Sequence, residues 1–159
     1  MRTGQFNATI ESAGSRSTAQ VSFDLGDEQR PSSIHLRTTY RGSSPTETVT
    51  ERILIGSRAW ERRPDGKWEA IPEQEGPLGQ IQTYLPHAAS APNPTLNSEG
   101  KVTSLNWYNT ASDADVTLLV DPSTGVPRQM RQVTRKNGST LTVNYTGWNT
   151  PVEITPPAP

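Results

Sequence analysis

The chain has 159 residues, the size of one domain, with 31% apolar residues and 15 Lys plus Arg against 16 Asp plus Glu. Val, Ile, Leu and Phe fill only 28 of the 159 positions, but a net charge of −1 with four Trp and four Tyr argues against compositional disorder. A folded, lightly filled domain is expected; scattered charges of both signs exclude a nucleic-acid partner, and the lack of cysteine excludes disulfides, thiolate metal sites and thiol nucleophiles.

From the N-terminus, Arg2 is followed by no apolar stretch, so the chain as given is expected to carry no secretory signal, and no run approaches the length of a membrane span. Period-two alternation then dominates and places every second side chain on one face of a strand. It runs through Phe6, Ala8 and Ile10, through Val21, Phe23 and Leu25, and through Ile34, Leu36, Thr38 and Tyr40. The next strand, over 46–55, sets Val49, Ile53 and Ile55 on one side, and Gly56-Ser57 turns into a strand over 58–62. Pro64-Asp65-Gly66 reverses the chain into 67–71, because Pro fixes φ at the first corner and Gly accepts a positive φ further on. Trp60 and Trp68 are thereby expected across one hairpin or nearly so.

Five prolines, at positions 72, 77, 86, 92 and 94, argue against a central strand in the middle of the chain. Leu78, Ile81 and Leu85 follow a helical i, i+3, i+7 spacing, with Pro77 suited to the first turn and Pro86 placed to end it, which predicts one short helix. Residues 86–98 read as a loop. Strands resume with Val102, Leu105, Trp107 and Tyr108, and again with Val116, Leu118 and Val120. The Asp121-Pro122-Ser123-Thr124-Gly125 turn leads into a polar strand over 126–136. Asn137-Gly138 is a strong hairpin signal before Leu141, Val143 and Tyr145. A last short strand is expected at Val152-Glu153-Ile154, within a single β domain over 1–155, before a proline-rich tail or linker over 156–159.

The sum is a mainly β chain of ten or eleven strands joined by tight turns, hence antiparallel, with one short helix. A single sheet with one apolar face must curl, pack a helix or meet a second sheet. Because the apolar positions are few and often small, an incompletely filled concave interior is expected.

The stretch Val120-Asp121-Pro122-Ser123-Thr124-Gly125-Val126-Pro127 resembles the strand-turn-strand element of the bacterial lipoprotein-carrier superfamily, which includes the LolA and LolB carriers and the LppX and LprG lipoproteins. The closing run from Tyr145-Thr146-Gly147-Trp148 to Ile154-Thr155-Pro156 is similar to the last strand of the LppX-like members. Ile55-Gly56-Ser57-Arg58-Ala59-Trp60 with Pro64-Asp65-Gly66-Lys67-Trp68 resembles their mid-sheet hairpin. The resemblance implies a half-barrel, a strongly curved antiparallel sheet with its concave side plugged by helix. It implies no reaction and no cofactor, but a lipid or other hydrophobic small molecule held outside the cytoplasm by the soluble part of a membrane-anchored protein. An envelope protein partner, met by a sensing or interaction module, is the alternative. The chain departs from the family in lacking a lipobox cysteine and a long helix before the first strand, and in its short, proline-rich plug. In this reading the ligand is bounded by Leu78, Ile81 and Leu85 of the helix and by Trp60, Trp68 and Trp107.

Other chemistry finds little support. His35 and His87 are the two histidines, too few and too far apart for a metal site without carboxylates gathered from elsewhere. No Gly-x-Ser-x-Gly elbow presents a serine nucleophile. Asp113, Asp115 and Asp121 match no EF-hand spacing and read as turn residues. Arg58, Arg62 and Arg63 form a cationic cluster beside Trp60, offset by Glu61 and Glu69.

Overall fold

The computed structural model describes residues 3–26, 32–43, 46–78, 81, 83–85 and 92–158. Eleven strands are formed: β1 (Thr3–Ser12), β2 (Ser15–Asp24), β3 (Ser33–Arg41), β4 (Thr48–Ile55), β5 (Arg58–Arg62), β6 (Trp68–Ile71), β7 (Asn93–Leu96), β8 (Val102–Asn109), β9 (Ala114–Val120), β10 (Pro127–Thr134) and β11 (Thr140–Thr146). All lie in one antiparallel sheet in the order β6-β5-β4-β3-β2-β1-β11-β10-β9-β8-β7, curved as a half-barrel and not closed. Two meanders thus grow outward from the central β1–β11 pair, each by short hairpins, which local turn chemistry suffices to build. At Gly14, Gly66 and Gly138 the turns require a positive φ (77°, 85° and 67°), a backbone that glycine adopts without strain.

Register assigns the two faces. Phe6, Val21 and Leu36 stand in one row, and Phe23, Ile34, Leu54, Ala59 and Ile71 in the next. On the other side of β1 a row runs from Ala8 through Val143, Met130 and Leu118 to Leu105. These side chains point to the concave face and form one apolar cluster.

Because β6 and β7 are opposite edges of the sheet, the segment joining them is a long connection, and its described residues Ile81 and Tyr84 pack into the apolar cluster of the concave face. A 3₁₀ turn at Glu73–Glu75 leads to Gly76, where a Cβ would come within 3.3 Å of Ala59 Cβ and 3.5 Å of Leu54 Cδ1. Leu78 and Ile81 are helical, and the Ile81 N–H donates to the Pro77 carbonyl at 3.0 Å. Ile81 is 1% exposed, and the Tyr84 ring sits 5.6 Å from Phe6. Phe6 also meets Phe23 at 6.2 Å and Tyr145 at 5.9 Å, while Trp148 stacks on Tyr145 at 5.3 Å. The Tyr145 hydroxyl donates to the Tyr84 carbonyl at 2.6 Å and so ties the connecting segment to the sheet.

Several sequence expectations are corrected. In β4 the inward residue is Leu54, so Val49, Ile53 and Ile55 face the convex side; Ile53 is nonetheless buried, as a wall of a convex groove whose other wall is the chain after β11. Residues 152–154 form no strand: the chain here runs across the convex face, where no strand edge is available to pair with. The expected loop over 86–98 contains β7, with Pro94 tolerated because β7 is an edge. The 126–136 strand is confined to Pro127–Thr134, since Arg135 to Asn137 are taken up by the turn at Gly138.

Candidate functional site

The concave face is filled by aromatic rings at its centre and left open near the β8–β9 hairpin. There a pocket of about 210 Å³ lies between the connecting segment, through Thr83 and Leu85, and the inward side chains Trp107, Asn109, Val116, Met130 and Gln132, with Ser112 of the hairpin turn. Trp107 and Val116 are cross-strand partners, which fixes the indole over the pocket wall. The Trp107 indole N–H and the Ser112 hydroxyl are buried without a hydrogen-bond partner among the described residues. No charged side chain lines this pocket among the described residues.

The six residues expected around a ligand are divided by the fold. Trp107 and Leu85 line the concave pocket. Ile81 is buried in the adjoining core, and Leu78, one turn earlier, is 45% exposed. Trp60 and Trp68 belong to the convex face: Trp60 pairs with Ile53 and Ala70, and Trp68 pairs with Arg62. They are diagonal neighbours across the hairpin rather than opposite one another. The alternation at 58–62 and 68–71 is too short and too mixed to reveal which face turns inward, and the small Ala59 takes the inward place. Met130, Val116 and Ser112 were missed as pocket residues; only Val116 carried a signal, its alternation with Leu118 and Val120.

On the convex face a second groove, about 350 Å³, runs between Ile53, Trp68, His35 and Glu51 on the sheet and residues 153–158 of the tail. The His35 Nε2 lies 2.8 Å from Glu51 Oε1, and Arg62 Nη1 donates to Glu51 Oε2 at 3.1 Å. Partial burial raises the Glu51 carboxyl, but the hydrogen bonds and charges of His35 and Arg62 outweigh it and hold the pKa below the usual glutamate value. Two arginines of the cluster are paired, Arg63 with Glu69 and Arg62 with Glu51, and the neighbouring Arg52 binds Glu61 at 2.6 Å. Arg63 therefore offers no unpaired cation to an anionic headgroup.

The acidic residues singled out are structural. Asp115 binds Arg135 through both oxygens, at 2.9 and 2.6 Å, and Arg135 lies 4.3 Å over the Tyr108 ring. Asp113 accepts from the Tyr108 hydroxyl at 2.7 Å. Asp121 accepts from the hydroxyl and backbone of Ser123 and from Arg128, which pushes its carboxyl far below the ordinary range and fixes the turn. No group of three His, Asp or Glu residues suited to a metal is present among the described residues, and His87 lies outside them. None of the described helices is long and apolar enough to cross a membrane.

No protein-family model matches the chain, and no curated protein does. Among solved structures, MucB in complex with MucA(peri) matches over 96% of this chain and 52% of its own, at 14% identity and a TM-score of 0.46. The MucA/MucB complex of Pseudomonas aeruginosa matches at 14% identity over 91% of this chain and 50% of its own, with a TM-score of 0.41. A LolA superfamily protein from Nitrosomonas europaea matches at 13% identity over 91% of this chain and 84% of its own, with a TM-score of 0.31. The chain thus spans about half the length of the MucB structures. A member of the superfamily that the 120–127 element resembles is among the structures matched.

Proposed function

We propose that this chain is a non-catalytic binding domain that takes an apolar small molecule, or one end of a lipid, on the concave side of its sheet. The observation that carries the reading is the concave pocket beside Leu85, Trp107, Val116 and Met130. At about 210 Å³ it is smaller than the ~300–1,000 Å³ of ordinary ligand pockets, so it suits a compact apolar group rather than a whole two-chain lipid. No histidine or carboxylate stands beside Thr83 or Ser112 among the described residues lining this pocket, which is why no reaction is assigned to it. In this reading the domain works outside the cytoplasm, as the soluble part of an anchored envelope protein.

Native mass spectrometry of the purified protein, followed by lipid extraction, tests this directly. A stoichiometric apolar ligand is expected, and Val116→Phe, which fills the pocket from its wall, should abolish its retention while the sheet stays folded. Equal retention by folded Val116→Phe would exclude this pocket as the site.

One observation favours a second reading, a protein-interaction module. All four residues of edge strand β7 are exposed, Leu96 by 55%, and its outer edge is unpaired in the sheet. A partner segment added there as a further strand would gain main-chain hydrogen bonds. Its sign is protection of the β7 amides from hydrogen exchange on binding, with no change at Trp107.

A further inference from the structure

A depression of about 300 Å³ lies on the convex face, over β1, β2 and β3, on the opposite side of the sheet from the concave pocket. Strand register builds it. Ser22 stands across from His35 on one side and from Gln5 on the other, and two residues back along β2 Gln20 stands across from Arg37 and Asn7. Residues two apart on a strand share a face, so one short serine sits among longer side chains and forms the floor.

The polar groups around this floor are not spent on one another. Arg37 is the direct cross-strand partner of Glu51, a placement in which opposite charges ordinarily pair. Glu51 instead gives one oxygen to His35 at 2.8 Å and the other to Arg62 at 3.1 Å, and the Arg37 guanidinium has no ion pair or hydrogen bond among the described residues. The side-chain amides of Gln5, Asn7 and Gln20 are likewise unpartnered among the described residues. Further along the row of Gln20 and Asn7, by contrast, Gln129 donates to Asn144 at 2.8 Å. Asp24, two residues beyond Ser22, is buried, accepts from the Gly26 N–H at 2.8 Å and does not line the depression.

A single guanidinium matches one carboxylate through two parallel hydrogen bonds. Amides, which both donate and accept, match hydroxyl groups beside it. Glu51, on the same wall, opposes a second negative charge on the ligand. An apolar ligand finds no partner, because Phe6 and Val21 turn their side chains into the concave core. We propose that this convex depression binds a small polyhydroxylated carboxylate, with the carboxylate bidentate on Arg37 and the hydroxyls on the amides of Gln5, Asn7 and Gln20.

The test titrates the ¹⁵N-labelled full chain at pH 7 with quinate, with methyl quinate, which lacks the charge, with cyclohexanecarboxylate, which keeps ring and charge without the hydroxyls, and with inorganic phosphate. The signals followed are the side-chain amides of Gln5, Asn7 and Gln20 and the Arg37 Nε. Quinate is expected to shift them together and to bind about three- to tenfold more tightly than either ring analogue. Arg37→Met, at an exposed position, should bring quinate to the affinity of its ester, and Arg37→Lys should restore only part of the difference, since an ammonium lacks the planar fork. Ser22→Gln, which raises the floor, should abolish the shifts in a chain whose backbone spectrum stays folded. Equal affinities for quinate and its ester, or unchanged quinate binding in Arg37→Met, would overturn the carboxylate assignment. Cyclohexanecarboxylate binding as tightly as quinate would overturn the recognition of hydroxyls, and tighter binding of phosphate would overturn the ligand class. If no ligand shifts these amides, the convex site fails, and the concave pocket is untouched by that result.

Discussion

Tyr145→Phe removes one oxygen atom and tests whether the connecting segment is held down by a single buried hydrogen bond. The Tyr145 hydroxyl donates to the Tyr84 carbonyl at 2.6 Å, and both residues are buried, 6% and 8% exposed. In the variant the ring keeps its contacts with Phe6 and Trp148, so the apolar contribution changes little. What changes is the Tyr84 carbonyl, left without its donor in a place that water does not reach; such a loss costs about 1–3 kcal/mol. For a domain of this length that is a fall in melting temperature of roughly 3–9 °C. Urea unfolding followed by tryptophan fluorescence and far-UV circular dichroism measures the first. Hydrogen exchange at the Tyr84 amide, which donates to the Ile81 carbonyl at 2.9 Å, should rise more than exchange in β1 or β11. Burial also pushes the Tyr145 phenol well above its ordinary value of 10.0, so the folded state resists its ionisation. Stability attributable to this group is therefore intact below that ordinary value and declines as the pH rises above it, a decline that Tyr145→Phe should lessen. A loss under about 0.5 kcal/mol, with unchanged exchange at Tyr84, would refute the idea that this bond anchors the segment.

Three further outcomes follow from the same structure. Glu51→Gln should destabilise the chain at pH 7 by about 0.5–1 kcal/mol through its bonds to His35 and Arg62. Because the Glu51 pKa is depressed, the difference should persist above the ordinary value of 4.5 and close as the pH falls through the folded-state pKa, as urea titrations at both ends would show. Gly4→Ala would place a Cβ 2.8 Å from Phe23 Cζ and 3.2 Å from Trp148 Cε3; displacing these packed rings should cost about 1–3 kcal/mol in chemical denaturation. Removing residues 151–159 uncovers Ile53, now 7% exposed, and Trp68, so the truncated chain should lose about 1–2 kcal/mol and emit at longer wavelength, and the shift should vanish in Trp68→Phe.

The strands were legible because each is bounded by chemistry that acts locally. Alternation in Phe6, Ala8 and Ile10 and in Leu141, Val143 and Tyr145, with turns at Pro64-Asp65-Gly66, Asp121-Pro122 and Asn137-Gly138, gives both strand and inward face without distant information. The short helical turn at Ile81 was legible for the same reason, through its spacing from Leu78 and Leu85. The faces of β4 and β5 were not. Ile53 and Trp60 look inward by composition, yet register aligns Leu54 and Ala59 with Phe23 and Ile34, and that register propagates from β1, about fifty residues away in sequence.

The candidate site shows the same division. Trp107 and Leu85 could be chosen from the sequence as large apolar residues on a strand and a helical stripe, but nothing local joins them. They meet because the connection between the two edge strands brings Leu85 onto the concave face, beside the inward side of β8 and β9. Trp60 and Trp68 were parted from them by a single-residue parity that only the sheet's register fixes. Composition, alternation and turn chemistry therefore determined a lightly filled antiparallel sheet, since each acts over a few residues. Which side chains share a pocket was decided by long-range strand pairing and by the path of one connecting segment, where closure over many residues leaves no local trace.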